Sequence, residues 1–203
     1  MKLTAGAVAI LSNNHVLAGE NRGKKGTGRI LHPGSGSFTA AQHVATLTDF
    51  VALKPSPPAA RPALGNVVFN AVDAAVATLK TGVPFTQAYL PARHLPHPTG
   101  TAPARVGDHV FKVGRTTGLT RGTVTAIGAV VGPIPYDPGN CWFSQQIEIK
   151  GDNGTMFSDH GDSGSLILRA SGDVVGLLYA GNGTHTYACP IDAVLAALSC
   201  TLV

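Results

Sequence analysis

The sequence predicts an all-β fold, built as one domain or as two small barrels sharing a core boundary. Three observations carry this expectation. Of 203 residues, 25 are Gly and 14 are Pro, above the usual shares of about 7% and 5%, so turns are dense. Only 13% of residues are charged, about half the usual fraction, and this combination disfavours helical bundles and coiled coils. The apolar segments are also short and bounded by turn formers, as in strands joined by many turns. With 44% hydrophobic residues the chain can bury a substantial core, which excludes a disordered chain.

The first strand is expected over Ala5 to Leu11, stopped by Ser12-Asn13-Asn14. Gly19 to Ser37, rich in Gly, Lys and Ser, reads as a loop with one strand at Gly28 to Leu31. Val44 to Leu53 is strand-like, Pro55 to Pro62 is a Pro-rich connection, and Val67 to Leu79 is an apolar segment interrupted by one acid, Asp73. Thr81 to Ala104, with five prolines and little periodicity, reads as a linker. Six regular strands should follow, at Val110–Val113, Gly122–Val131, Gln145–Ile149, Gly164–Leu168, Val174–Leu178 and Thr186–Ala188. Asn153-Gly154 and Asn182-Gly183 are hairpin dipeptides. Pro190-Ile191-Asp192 introduces a short helix over Ala193 to Leu198, with an acid near its positive end.

The net charge of +4 raises the question of nucleic acid, but distribution matters more than the sum. The densest basic cluster, Arg22, Lys24, Lys25 and Arg29, has no interleaved aromatic residues and reads as a solvated loop, so no nucleic-acid partner is expected. No apolar run approaches the roughly 18 residues of a spanning helix, and no membrane partner is expected. The start mimics a secretory signal, but Ser12-Asn13-Asn14-His15 separates the apolar run from the small residues Ala18-Gly19. A cytoplasmic location is therefore expected over secretion. Cys141, Cys189 and Cys200 are odd in number and irregular in spacing, which fits one disulfide or free thiols.

The most informative stretch is His160-Gly161-Asp162-Ser163-Gly164-Ser165, followed by Leu166-Ile167-Leu168. A serine between glycines before a buried strand suits an exposed nucleophile, and the N–H groups of Gly161 and Ser163 can converge as an oxyanion hole. The alternative is an ordinary Gly-Asp-Ser-Gly turn. Serine needs a base, and the base needs an orienting acid. His15 sits at the end of an apolar strand. Among the acids between His15 and Ser163, only Asp73 lies in an almost wholly apolar context, Ala71-Val72-Asp73-Ala74-Ala75-Val76-Ala77. A buried carboxylate needs a partner, and a histidine ring would satisfy it.

Gly161-Asp162-Ser163-Gly164, preceded by His15 and Asp73 in the order His, Asp, Ser, resembles the chymotrypsin-like (trypsin-like) serine proteases. Separations of 58 and 90 residues suit a histidine and aspartate on one barrel and a serine on the next. Leu11 to Ala18 and Val113-Gly114-Arg115-Thr116-Thr117-Gly118-Leu119-Thr120 resemble one branch in particular, the bacterial relatives of the plant narrow-leaf type serine protease. The resemblance implies two six-stranded antiparallel β-barrels with a short C-terminal helix. The first would span 1–104, including the 81–104 linker, and the second 105–203. It implies a serine endopeptidase acting on protein or peptide through an acyl-enzyme, with no cofactor and no metal. The Gly-Arg-Thr-Thr-Gly element also resembles one in bacterial secreted proteases in which an arginine pairs with the aspartate beside the nucleophile, so Arg115 is expected to pair with Asp162.

By the same resemblance, Phe157, Ser158, Asp159, Tyr179, Ala180 and Gly181 wall the substrate pocket. An apolar Phe157 favours small or apolar side chains, whereas an inward Asp159 would reverse that choice. A zinc site from His94, His97 and His109 is not expected on a Pro-rich frame, and His160 reads as a solvated rim residue. One departure stands out. Only 14 residues precede His15, where this fold ordinarily places two strands before the one leading to the histidine, so the first barrel is expected to be incomplete. A binding or scaffold module with weak or no turnover is the competing expectation, and self-association stays open.

Overall fold

Short apolar runs punctuated by Gly, Pro and Asn become strands throughout the computed structural model, which describes residues 1–3, 6–34, 42–86 and 95–203. The described elements run β1 (Lys2–Leu3), β2 (Ala9–Ser12), α1 (Asn14–Leu17), β3 (Arg29–His32), β4 (Gln42–Phe50), β5 (Phe69–Asn70), β6 (Ala75–Leu79), β7 (Gly100–Thr101), β8 (His109–Gly114), β9 (Gly118–Tyr136), β10 (Gly139–Gly151), β11 (Leu166–Arg169), β12 (Asp173–Gly181), β13 (His185–Pro190), α2 (Ile191–Ala197) and β14 (Cys200–Thr201). No described helix is long and apolar enough to cross a membrane.

The second half carries the larger sheet. Its antiparallel pairings run β11-β8-β9-β10-β13-β12, and β12 pairs again with β11, so six strands form a hydrogen-bonded ring. Val110, Val124, Ile147, Ile149, Phe157, Ile167, Val175, Leu178 and Ala188 form a buried apolar cluster there. The first half contributes an antiparallel sheet of four strands among the described residues, in the order β2-β6-β4-β3. Its own buried cluster is only Ala18, Leu47 and Ala75. Four strands of this sheet lie among the described residues, in a half whose barrel was expected to be incomplete.

A larger cluster, from Ala9, Val72 and Val76 to Phe143, Leu177 and Val194, joins the halves. The apolar segment expected at Val67–Leu79 divides into β5 and β6, with Asp73 buried between them. In the linker, β7 pairs in parallel with β12, and residues 87–94, including His94, lie outside the described residues.

The longest departure is β9, which runs 19 residues instead of stopping at Val131. Pro133 and Pro135 argue for a stop, yet beyond Val124 the strand leaves the β8 edge and, among the described residues, is paired on one edge only, where a missing N–H is tolerated. Irregular register between β9 and β10 bends the pair into an arm. Gly132 sits at the bend with φ +143°, where a Cβ would meet the Cys141 carbonyl and the Trp142 ring at 2.9 Å, so no other residue fits there without a shift. The arm lies on the first half. β5 pairs with Trp142 and Phe143, Ser56 N–H donates to the Asn140 carbonyl at 2.8 Å, and Asp137 meets both Glu20 and Arg22.

Candidate active site

Strand β2 ends at Ser12, and the polar run that breaks it is a support, not merely a stop. Asn13 and Asn14 are fully buried. Asn13 Nδ2 donates to the Asp73 carbonyl at 2.8 Å. Asn14 Nδ2 donates to the Val51 carbonyl at 2.7 Å and to Asn21 Oδ1 at 2.8 Å, while Asn21 clasps both backbone groups of Leu53. These bonds fix the single turn α1 that carries His15. Asp73, 0% exposed, precedes β6 and meets the imidazole there. His15 Nδ1 lies 2.6 Å from Asp73 Oδ2, and the His15 N–H donates to Oδ1 at 3.2 Å. With Nδ1 protonated, Nε2 is left as an acceptor, the tautomer a general base needs.

Ser163 enters from the second half. It lies with His15 on one cleft of about 420 Å³ that is also lined by Ile134, Tyr136, Ser158, Asp159, His160 and Leu178–Gly183. A Cβ on Gly164 would collide with the Ser12 hydroxyl, so the end of β2 packs directly on the serine turn. Gly161 and Gly164 both take positive φ, +98° and +87°. Around Ser163 the N–H groups of Asp162, Gly164 and Ser165 are bonded to Asp159, Leu178 and Asp162 carbonyls. Those of Gly161 and Ser163 have no protein partner among the described residues, which leaves them as donors for an anionic oxygen. Thr116 Oγ1 donates to the His160 carbonyl at 2.6 Å, holding the peptide whose other end is the Gly161 N–H. Ser163 Oγ makes no hydrogen bond to His15 among the described residues. Such contacts often tighten only around bound substrate.

The support of this turn differs from the expected one. Arg115 is exposed and does not pair with Asp162. The cation is Lys112, 0% exposed, with Nζ 3.3 Å from Asp162 Oδ2, 2.5 Å from Thr117 Oγ1 and 3.0 Å from the Gly118 carbonyl. The reason is strand alternation: Lys112 shares the inward face of β8 with Val110, whereas Arg115 lies past the strand end. Asp162 also accepts the Thr117 hydroxyl at 2.6 Å and N–H bonds from Thr116, Thr117 and Asp159. Burial alone would raise its carboxyl, but these donors hold it below the usual range. Burial lowers the Lys112 ammonium, against the pull of Asp162.

Of the expected pocket residues, Ser158, Asp159, Tyr179, Ala180 and Gly181 line the cleft. Phe157 does not: its apolar ring is buried in the ring cluster with Val124 and Ile149. Ser158 Oγ is bonded to Thr186 Oγ1 at 2.6 Å. Asp159 is exposed on the lining of the cleft, its carboxylate accepting the His160 N–H at 2.7 Å. Sequence reasoning missed Lys112, Thr116 and Tyr136; for Lys112 the signal was a lone lysine inside an apolar strand.

All three cysteines are free and buried, and burial pushes the Cys141 thiol up to about 11 and that of Cys189 higher still, so neither is a ready nucleophile. Among the described residues, no group of three His, Cys, Asp or Glu is placed to hold a metal.

The solved structures that this chain resembles include a chymotrypsin from Cellulomonas bogoriensis (TM-score 0.60, 22% identity, covering 97% of this chain and 85% of that one). The Nocardiopsis protease NAPase is similar (0.62, 16%, 97% and 86%), as is Thermobifida fusca protease A (0.60, 16%, 97% and 84%). This chain has the chymotrypsin-like fold. A family model described as the Nal1 C-terminal domain matches residues 99–187. Protein NARROW LEAF 1 of Oryza sativa subsp. japonica is 37% identical over 87 residues, spanning 39% of this chain and only 14% of that protein.

Proposed function

We propose that this protein is a serine endopeptidase of protein or peptide substrates. The observation that carries the reading is His15, paired with the buried Asp73, sharing one cleft with Ser163 on a chymotrypsin-like fold. His15 Nε2 takes the Ser163 proton as Oγ attacks the scissile carbonyl. The carbonyl oxygen, now anionic, enters the space faced by the Gly161 and Ser163 N–H groups. The tetrahedral species collapses, the amine leaves with the proton from His15, and water hydrolyses the acyl-enzyme by the same steps in reverse. Asp73 holds the tautomer and stabilises the imidazolium. No step calls for a cofactor.

Lys112 and Asp162 play the part that Arg115 and Asp162 were expected to play. Because Lys112 is internal, the turn is assembled in the uncut chain and turnover needs no N-terminal cleavage. The cleft is lined by Leu178, Tyr179, Ala180 and Gly181, and the Ser158 hydroxyl is already paired with Thr186. Small or apolar side chains before the scissile bond suit such walls. Cleavage of a peptide library by the pure protein beside Ser163→Ala tests both points. Bonds should be cut only by the unaltered protein, after small or apolar residues. Matching profiles from the two proteins would leave the binding-module reading in its place.

A further inference from the structure

We propose that Tyr136 is a positioning residue for the His15–Asp73 pair, its hydroxyl reaching across from the second half to pin the Asp73 carboxylate beneath the imidazole. This rests on reading His15, Asp73 and Ser163 as a triad. A fully buried carboxylate must have its lone pairs met by donors. Among the described residues, the Asp73 carboxylate has three bonds: His15 N–H to Oδ1 at 3.2 Å, His15 Nδ1 to Oδ2 at 2.6 Å, and Tyr136 Oη to Oδ2 at 2.9 Å. One of these donors is the imidazole, and another is the His15 backbone N–H in α1. Tyr136 is the donor from outside His15 among the described residues, and it holds Oδ2, the oxygen that meets the imidazole.

Tyr136 is itself held from several sides. It ends β9 at the tip of the arm, next to Asp137, which is paired with Arg22 at 2.6 Å. Its ring lies edge-on to Phe143, centroids 6.2 Å apart, and tilted against His15 at 5.9 Å. Burial first, and then the Asp73 carboxylate, keeps the phenol protonated far above its ordinary range, so it remains a donor. Docking of the arm thereby completes a dyad whose two members both lie in the first half. The unusual length of β9 gains a use from this.

The test reads the hydrogen bond itself. In proton NMR of the full chain, the His15 Nδ1–H shared with Asp73 should give a low-field resonance, assigned by its loss in His15→Gln. In Tyr136→Phe, Asp73 Oδ2 loses a competing donor and becomes the stronger acceptor, so the resonance should move further downfield, or vanish if the carboxylate swings away. Should that variant fold poorly, 3-fluorotyrosine placed at position 136 keeps ring and hydroxyl, makes the hydroxyl the stronger donor, and should move the resonance upfield. A resonance unmoved by either change overturns the proposal. Turnover gives a second readout: Tyr136→Phe should lose about tenfold in kcat with KM unchanged, as for an interaction that counts only in the transition state. That loss should shrink in an Asp73→Asn background, because a residue acting through Asp73 has nothing left to position. Equal losses in both backgrounds would mark a merely structural role and overturn it. If the unaltered protein has no activity above Ser163→Ala, the protease reading fails, while the resonance still decides the role of Tyr136.

Discussion

Replacing Lys112 by Met keeps the volume and the apolar stem but removes the ammonium that faces Asp162. The carboxylate then stays 0% exposed with no cation. Removing one partner of a buried ion pair costs about 3–5 kcal/mol. Asp162 would keep the Thr117 hydroxyl at 2.6 Å and the N–H groups of Thr116, Thr117 and Asp159, so the lower end, about 3 kcal/mol, is expected. For a chain of this size each kcal/mol moves the midpoint by roughly 2–4 °C, giving a fall of roughly 6–12 °C.

Thermal unfolding followed by circular dichroism reads this, with Arg115→Ala as the comparison, expected within about 0.5 kcal/mol of the unaltered protein. Lys112→Met combined with Asp162→Asn removes the uncompensated charge and should recover part of the loss. If Lys112→Met were silent while Arg115→Ala unfolded the protein, Arg115 would be the true partner and the reasoning would fail.

Three further outcomes follow from the same geometry. Thr116→Val removes the bond to the His160 carbonyl and frees the Gly161 peptide to turn. Deleting an oxyanion donor outright costs about 10²–10³ in kcat, so loosening one should cost about tenfold, with KM unchanged in steady-state kinetics. Gly164→Ala places a methyl group on the Ser12 hydroxyl at a positive φ; solubility and midpoint should both fall, and an unaffected variant would show that the halves do not meet there. For acid stability, the Asp162 carboxyl sits below its usual value, while the unfolded chain takes up its proton near pH 4. Its contribution is complete above that pH and is lost as pH falls through the folded value. Urea unfolding between about pH 3 and pH 6 should therefore show a shallower loss in Asp162→Asn than in the unaltered protein.

What the sequence revealed follows from where its information is local. Ser163 was legible because a nucleophile turn is built from adjacent small residues. Asp73 was legible because acids are few and one of them stands in an apolar run. Asn13 and Asn14 were legible only as a stop; their bonds reach Asp73, Val51 and Asn21, which no local pattern reports. The Gly-Arg-Thr-Thr-Gly motif points to Arg115, whereas the alternation of β8 turns Lys112 inward to Asp162. Tyr136 could not be placed, since Pro133 and Pro135 forbid a central strand but not an edge, and only the three-dimensional pairing makes that stretch an edge.

The central claim is that Ser163 is activated by His15, and a fluorophosphonate label mapped by mass spectrometry measures it most directly. A single adduct on Ser163 is predicted, with a labelling rate at least about a hundredfold lower in His15→Ala, the low end of general-base contributions. Equal rates in the two proteins would contradict it.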